Sequence, residues 1–214
     1  AELLYFPTGG GKTEAFLGVC VFSMFFDRYR GKADGVTAFL KYPLRLLAVQ
    51  QLDRVLTIVT KANIIKNLDP EIKSMTDFAV GFYVGKNNTP NKIDKSERLS
   101  SRAEENNSQN PVIIESTESQ LDEWYRFIDT CPNCGKKMVH VRFNQEEWKL
   151  EHICDNEECN TTVLPLYIVD NEIYRYLPSI IVSTVDKMSM VGISEDFKAL
   201  MGQVNNRCIK HGFT

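Results

Sequence analysis

Pro7-Thr8-Gly9-Gly10-Gly11-Lys12-Thr13 is the stretch that decides the fold class. It follows a short apolar run, residues 3–6, and precedes residues 13–30, which favour a helix that ends at Gly31. Consecutive small residues let backbone N–H groups turn towards phosphate oxygens, and the start of a helix adds the positive end of its dipole. The pattern therefore predicts a phosphate-binding loop between a strand and a helix; the alternative is a glycine-rich turn.

The residues of this loop have distinct expected roles in binding ATP. Lys12 can reach the β- and γ-phosphates, and the Thr13 hydroxyl can ligate Mg²⁺. The predicted nucleotide-binding residues are Thr8, Gly9, Gly10, Gly11, Lys12, Thr13 and Glu14. The complete phosphate-loop pattern has a further glycine at the position of Phe6, so the sequence departs from it there.

Strand and helix patterns alternate along the first part of the chain. Residues 36–42 and 78–84 predict strands, and residues 44–62 predict an amphipathic helix between them. This order is typical of a parallel α/β sheet with helices on its faces. The helix at 13–30 is apolar on most sides, so we expect it to be buried. Residues 86–110 are polar and predict a mobile surface loop.

The second part of the chain adds further elements. Residues 116–128 predict a helix whose Thr117 and Gln120 have the spacing of a capping box. Residues 164–169 and 180–184 are short apolar runs that predict strands.

Composition excludes several classes of protein. The 214 residues are 43% hydrophobic and 25% charged, which excludes a wholly disordered, collagenous or coiled-coil chain. With 25 basic and 28 acidic residues the net charge is -3, so any contact with DNA must come from a local site. The sequence has no apolar run of about 18 residues and no signal peptide at its start. We expect a cytoplasmic protein, without a membrane span, whose sequence begins inside a domain.

Four of the six cysteines form two closely spaced pairs. The first pair lies in Cys131-Pro132-Asn133-Cys134-Gly135, a pattern typical of a zinc-binding turn, and the second pair has four intervening residues. Four thiolates about 2.3 Å from the ion form a closed structural zinc site. The predicted zinc ligands are Cys131, Cys134, Cys154 and Cys159. Residues 138–143 and 148–153 would form the hairpin of a zinc ribbon.

Other interpretations of these cysteines stay open. They could form two disulfides or be unrelated core residues, although an intracellular phosphate-loop protein makes both less favourable. His140 or His152 could also replace one cysteine ligand.

Four stretches resemble the motifs of superfamily 2 helicases. Residues 7–13, without the leading glycine, resemble motif I, and residues 43–50 (Pro-Leu-Arg-Leu-Leu-Ala-Val-Gln) resemble motif Ia. Residues 80–85 are similar to the strand-and-glycine element that follows, and residues 180–187 resemble motif Ib, with lysine in place of the usual arginine. All four appear in the family's chain order.

The resemblance implies residues that face a nucleic-acid strand, because motifs Ia and Ib lie along that strand in the family. These residues are Arg45, Gln50, Gly85, Thr184 and Lys187. Arg45 and Gln50 could instead lie on an exposed helix face, and Thr184 could be a helix N-cap.

A narrower resemblance covers nearly the whole chain. Residues 6–18, 42–54, 131–135, 164–174 and 178–188 resemble the large helicase subunits of the bacterial DISARM anti-phage systems. This resemblance implies an ATP-dependent DNA helicase or translocase that acts on a single strand or duplex end. It also implies a partner protein of the DrmB type.

Two parts that such a motor needs are not found in the sequence. One is an apolar strand that ends in Asp-Glu and holds Mg²⁺; Glu195-Asp196 follow Ser194 and no apolar strand, so they do not match it. The other is the second RecA-like lobe with its arginine finger. We expect these 214 residues alone to be inactive.

The predicted architecture is a partial RecA-like phosphate-loop lobe with an insertion. We expect the first part of the lobe at residues 1–128, a zinc-ribbon insertion at 129–163, and a truncated continuation at 164–214. Two alternative functions are a phosphate-loop NTPase with a non-nucleic-acid partner and a non-enzymatic, zinc-dependent interaction module.

Overall fold

The structure is a computed structural model that describes residues 11–85, 89–94, 111–113, 117–189, 196–204, 206–208 and 210–213. The helices are α1 (Lys12–Tyr29), α2 (Arg45–Leu68), α3 (Glu118–Tyr125), α4 (Asp170–Tyr176), α5 (Val185–Ser189) and α6 (Phe197–Leu200). The strands are β1 (Ala38–Tyr42), β2 (Val80–Tyr83), β3 (Lys92–Asp94), β4 (Pro111–Ile113), β5 (Val139–Asn144), β6 (Lys149–Cys154), β7 (Leu166–Tyr167), β8 (Ile180–Thr184), β9 (Arg207–Cys208) and β10 (Gly212–Phe213). Among the described helices, none combines the length and apolar character that a membrane crossing needs.

A four-stranded sheet in the order β1-β8-β2-β7 forms the centre of the described structure. Every neighbouring pair in it is parallel, with Ile180 opposite both Ala38 and Val80. Strands β2 and β8 are buried along their whole length, which explains why residues 180–182 are an unbroken apolar run. The predicted parallel α/β sheet is confirmed, whereas the narrower RecA-like class stays a prediction.

Helices cover both faces of this sheet. On one face, α2 buries Leu52, Leu56 and Val59 against alternate residues of β2, Val80 and Phe82. Successive strand residues point to opposite faces. On the other face a smaller cluster joins α4, α6 and the sheet through Tyr83, Ile173, Leu177, Ile181, Phe197 and Leu200.

Helix α1 packs against α2 through one face only. Leu17, Cys20 and Met24 are buried there, whereas Val19 and Phe22 are 57% and 68% exposed. The expectation that this helix is buried all round is therefore wrong for the described residues. The apolar pattern does not determine how many neighbours a helix has.

Helix α2 is longer than the sequence pattern predicts. It continues to Leu68 and ends before Asp69-Pro70, because the residue before a proline disfavours helical backbone. Its last turn is stabilised by the buried Lys66, whose Nζ donates to the Met75 carbonyl at 2.6 Å and pairs with Asp77 at 2.9 Å.

Part of the segment expected to be a mobile surface loop lies against the domain. The buried Thr89 hydroxyl donates to the Val84 carbonyl at 3.1 Å, and the backbone N–H of Asp170 donates to the Pro90 carbonyl at 3.0 Å. Strand β3 pairs in parallel with β4. The rest of residues 86–110 lies outside the described residues.

Strands β5 and β6 form the antiparallel hairpin expected between the two cysteine pairs. The side chains of Val139, Val141 and Leu150 are at most 2% exposed and belong to the same core as α2 and β2. The cysteine region is therefore packed into the core of the sheet domain. The capping box at Thr117 and Gln120 is confirmed at the start of α3.

Candidate functional site

The four predicted metal-ligating cysteines come together in one cluster. The sulfurs of Cys131, Cys134, Cys154 and Cys159 all lie within 4.8 Å of one another. Cys131 Sγ lies 3.7 Å from Cys159 Sγ, and Cys134 Sγ lies 3.7 Å from Cys154 Sγ. A tetrahedron with zinc–sulfur bonds of about 2.3 Å has sulfur–sulfur edges of about 3.8 Å, so the distances fit a bound zinc ion.

The same distances exclude the disulfide interpretation. A disulfide requires a sulfur–sulfur distance of about 2.05 Å, and all four cysteines are free thiols. The cluster could hold a metal ion, and its all-sulfur donor set is the one that zinc prefers in structural sites.

The first cysteine pair is positioned by a tight turn on α2. Gly135 has a φ of +72°, which glycine adopts without steric cost, and its N–H donates to the Cys131 carbonyl at 2.9 Å. Lys61 of α2 donates to the backbone carbonyl of Asn133 at 3.2 Å and to its side-chain oxygen at 3.1 Å. These contacts attach the turn to the helix that supports the sheet.

The second pair is held by the end of the hairpin. The N–H of Cys154, the last residue of β6, donates to the Thr162 carbonyl at 2.8 Å, and the N–H of Cys159 donates to the Asn156 carbonyl at 2.8 Å. Lys136 donates to the Asn156 side chain at 3.0 Å and so links the two halves of the site. The irregular spacing of the second pair is thus accommodated by a local turn.

The ionisation of the thiols differs within the cluster. The backbone N–H of Lys136 is the main cause that lowers the pKa of Cys134 to about 7. Burial raises the pKa of Cys131, and burial raises that of Cys154 to about 12. One sulfur is therefore readily a thiolate, whereas the buried sulfurs need a cation to stabilise their charge.

The two histidines near the cysteines have other partners. His140 lies between Asp122 and Asp155, at 3.6 Å and 3.5 Å. His152 is fully buried, contacts the Tyr125 carbonyl at 3.1 Å, and has its pKa lowered to about 4 by burial. Neither joins the four-cysteine cluster, so the replacement of a cysteine ligand by either histidine is not supported.

Only part of the predicted phosphate loop falls within the described residues, because Thr8, Gly9 and Gly10 lie outside them. Gly11 has a φ of +73° and caps the start of α1, where its carbonyl accepts a hydrogen bond from the Ala15 N–H at 3.0 Å. Lys12 is exposed and Thr13 is half-buried in the first turn. The described end of the loop therefore begins a helix of 18 residues, as the sequence predicts.

Glu14 connects the phosphate loop to α2 through an ion pair with Arg54. Glu14, a predicted nucleotide-binding residue, therefore also makes a structural contact between two helices. Because α2 starts directly after β1, this ion pair brings the start of α1 beside the first half of α2.

The residues that resemble helicase motifs lie at one edge of the sheet. Strands β1, β8 and β2 run parallel, so their carboxyl ends meet there. Arg45 starts the helix after β1, Thr184 ends β8, and Gly85 follows β2. The carboxyl edge of a parallel sheet is where α/β proteins usually bind ligands.

These predicted nucleic-acid residues differ in exposure. Arg45 and Gln50 are exposed on the first turns of α2, Gly85 is half-buried, and Thr184 is buried. Arg45 and Gln50 can therefore contact a large ligand directly, without rearrangement of the fold.

Lys187 has partners that sequence reasoning missed. Its ammonium lies 2.5 Å from a carboxylate oxygen of Asp170 and 4.6 Å from the centre of the Tyr83 ring. The side chains of Lys187 and Asp170 are 10% and 8% exposed. No spacing in the sequence links these residues, since the tertiary fold brings α4 beside α5. A phosphate bound by Lys187 would compete with a buried carboxylate.

The fold and this cluster define a class of protein: an α/β domain with a parallel sheet and a four-cysteine cluster that could hold a metal ion. No protein-family model matches the chain. Over an alignment of 229 positions the chain is 34% identical to DISARM protein DrmA of Bacillus paralicheniformis. The alignment covers 99% of this chain and 19% of DrmA.

The chain thus resembles DrmA along its whole length and spans about a fifth of that relative. The resemblance to the large DISARM subunit that the sequence motifs predict is confirmed.

Proposed function

We propose that this chain is the ATP-binding part of the first motor lobe of an ATP-dependent DNA helicase or translocase in anti-phage defence. The observation that carries the proposal is the arrangement at the carboxyl edge of the sheet. The first turns of α2 and the ends of β8 and β2 belong to this region, and the Glu14–Arg54 ion pair joins the start of α1 to α2.

The start of α1 supplies groups suited to the phosphates of ATP. The left-handed backbone at Gly11 and the N–H groups at the start of the helix favour an anion. Lys12 would hold the terminal phosphates, and the Thr13 hydroxyl would ligate Mg²⁺, which neutralises phosphate charge during transfer. In this proposal Thr8, Gly9 and Gly10 complete the loop.

The neighbouring strand ends would hold the backbone of DNA. Exposed Arg45 and Gln50 on α2 offer a cation and an amide, while Gly85 and Thr184 permit close approach of a phosphate. Such contacts are independent of base sequence, as a translocating motor requires. They also explain how a chain with a net charge of -3 could bind DNA locally.

The four-cysteine module would brace this lobe with a zinc ion. Its turn is held by Lys61, which lies in the second half of α2; the same helix begins at Arg45. The sulfur ligands close the site, so the metal has no open position for catalysis.

Similarity to DISARM protein DrmA supports the defence role. A DrmB-type protein is the proposed partner, and the remainder of the longer polypeptide would supply the acidic motif and the arginine finger.

The substitution Lys12→Ala in the full-length protein tests the assignment of the phosphate loop. We expect ATP turnover to fall on the order of 100-fold or more, because the lysine stabilises charge on the transferred phosphoryl group. Lys73→Ala is the matched control, since Lys73 is exposed in the turn after α2, at the end of that helix remote from Arg45. Turnover of the Lys12→Ala protein at the parent rate would overturn the assignment.

A further inference from the structure

The hairpin β9–β10 repeats the sequence pattern of the first cysteine pair. Residues 208–212 read Cys-Ile-Lys-His-Gly, and residues 131–135 read Cys-Pro-Asn-Cys-Gly. Each has a metal-ligating residue type, two intervening residues, a second metal-ligating residue type and a glycine. The spacing is that of a zinc-binding turn in both places.

The backbone of the two turns is also alike. Gly212 has a φ of +80° and Gly135 has one of +72°. The sulfur of Cys208 accepts hydrogen bonds from the backbone N–H groups of His211 and Lys210. The sulfur of Cys131 likewise accepts from the backbone of the residues two and three positions later. Such N–H groups stabilise a thiolate ligand, because the partial positive charge of their hydrogens points at the negative sulfur.

The two side chains of the hairpin are at the separation of two zinc ligands. Cys208 Sγ lies 3.5 Å from His211 Nδ1. Zinc bonds of about 2.3 Å to sulfur and about 2.05 Å to nitrogen, at the tetrahedral angle, give a ligand–ligand distance of about 3.6 Å. Both residues are exposed, so an ion can reach them.

Helix α4 fixes the turn from its other side. Arg175 Nε donates to the His211 carbonyl at 2.7 Å, and the Tyr176 hydroxyl donates to the Lys210 carbonyl at 3.0 Å. A side-chain carbon added at Gly212 would lie 2.2 Å from the Arg175 carbonyl oxygen, so glycine is required there. The described residues of the turn are therefore held against α4 by these contacts.

Among the positive side chains near the turn, Arg175 has backbone carbonyl partners. The Arg175 guanidinium is engaged with carbonyl oxygens, including those of Trp148 and Glu147 at 3.2 Å and 2.9 Å. A bound zinc ion would also gain the negative charge of the Cys208 thiolate.

We infer that Cys208 and His211 form the protein half of a second zinc site, separate from the four-cysteine cluster. Two coordination positions would be filled by water. The other described candidates are committed elsewhere: Cys20 is buried in α1, His140 lies between two aspartates, and His152 is buried. The inference does not depend on the proposed motor function.

The rate of alkylation of Cys208 by iodoacetamide, followed by mass spectrometry of its peptide, tests this inference. Zinc ions are added to the chain after the four-cysteine site has been filled. At a zinc concentration about ten times the dissociation constant, mass action lowers the free thiolate and slows alkylation about tenfold. His211→Ala should lose most of this protection, and His140→Ala, the matched control, should retain it.

Nuclear magnetic resonance of ¹⁵N-labelled histidine gives a second readout. We expect zinc to shift the Nδ1 resonance of His211 and to leave those of His140 and His152 unchanged. An alkylation rate that millimolar zinc does not change would overturn the inference. Equal zinc protection in the parent and His211→Ala proteins would also overturn it, since histidine would then not be a ligand.

Discussion

Loss of the proposed zinc site should release the β5–β6 hairpin from the core. The perturbation is Cys131→Ser, which removes a ligand whose side chain has no exposed surface. Serine cannot replace a thiolate towards zinc, and three remaining sulfurs bind the ion more weakly.

The size of the effect follows from what the hairpin contributes to the core. Val139, Val141 and Leu150 are each at most 2% exposed. Burial of three such side chains is worth about 5–9 kcal/mol, whereas structural zinc binding is worth about 10–16 kcal/mol. The metal is thus the larger of the two contributions. We expect loss of the ligand to lower the free energy of local opening by at least about 4 kcal/mol, a thousandfold change in the opening equilibrium.

Hydrogen exchange followed by mass spectrometry measures this opening directly. Amides of β5 and β6 should exchange at least about a thousandfold faster in the Cys131→Ser protein. Amides of β1 and β8, on the far side of the sheet, should change least. Cys208→Ser is the matched control, because this cysteine is exposed outside the module and its loss should leave the hairpin protected. Protection of β5 and β6 at the parent level in Cys131→Ser would refute the reasoning.

Three further predictions concern catalysis and stability. The purified chain of residues 1–214 should show weak or no ATP binding and no ATP hydrolysis, because its sequence lacks the Asp-Glu motif and the arginine finger. Robust ATP hydrolysis in a phosphate-release assay would contradict this prediction. Burial raises the pKa of the Glu172 carboxyl to about 8, from 4.5 in the unfolded chain. Because the folded state binds the carboxyl proton more tightly, the free energy of unfolding should fall as the pH rises from 4.5 to 8. Glu172→Gln keeps the acceptor for the Leu150 N–H and should remove a fall of a few kcal/mol in the free energy of unfolding across this pH range, measured by urea titrations. An unchanged pH dependence would exclude the Glu172 charge as its cause. Lys66→Met should lower the free energy of unfolding by about 1–3 kcal/mol, because the Met75 carbonyl loses its donor; equal urea midpoints for the parent and the variant would show that this buried ammonium contributes nothing.

The periodic elements of the fold could be predicted because local chemistry specifies them. The β-branched run at residues 180–184 gives β8 with the predicted bounds, and the Thr117 capping box starts α3 one residue later. The four cysteines could be grouped because zinc ligation requires their residue type and spacing.

What the sequence could not predict depends on tertiary contacts. The apolar pattern of α1 indicates burial, yet Phe22 is exposed, because within the described part of the chain α1 packs on α2 through the face of Leu17, Cys20 and Met24. The ion pair of Lys187 with Asp170 joins two helices whose packing no local pattern specifies. Cys208 looks like an isolated thiol until the hairpin brings it beside His211.

The measurement that tests the central claim most directly is the ATP turnover of the full-length protein with and without single-stranded DNA. The proposed motor holds the DNA backbone at the same sheet edge as the nucleotide, so DNA should raise the turnover at least about tenfold, or about 1.4 kcal/mol in activation free energy. The substitutions Arg45→Ala and Gln50→Ala together should reduce this stimulation more than they reduce the DNA-independent rate. Turnover that DNA does not change would contradict the account and favour a nucleotide hydrolase with a different partner.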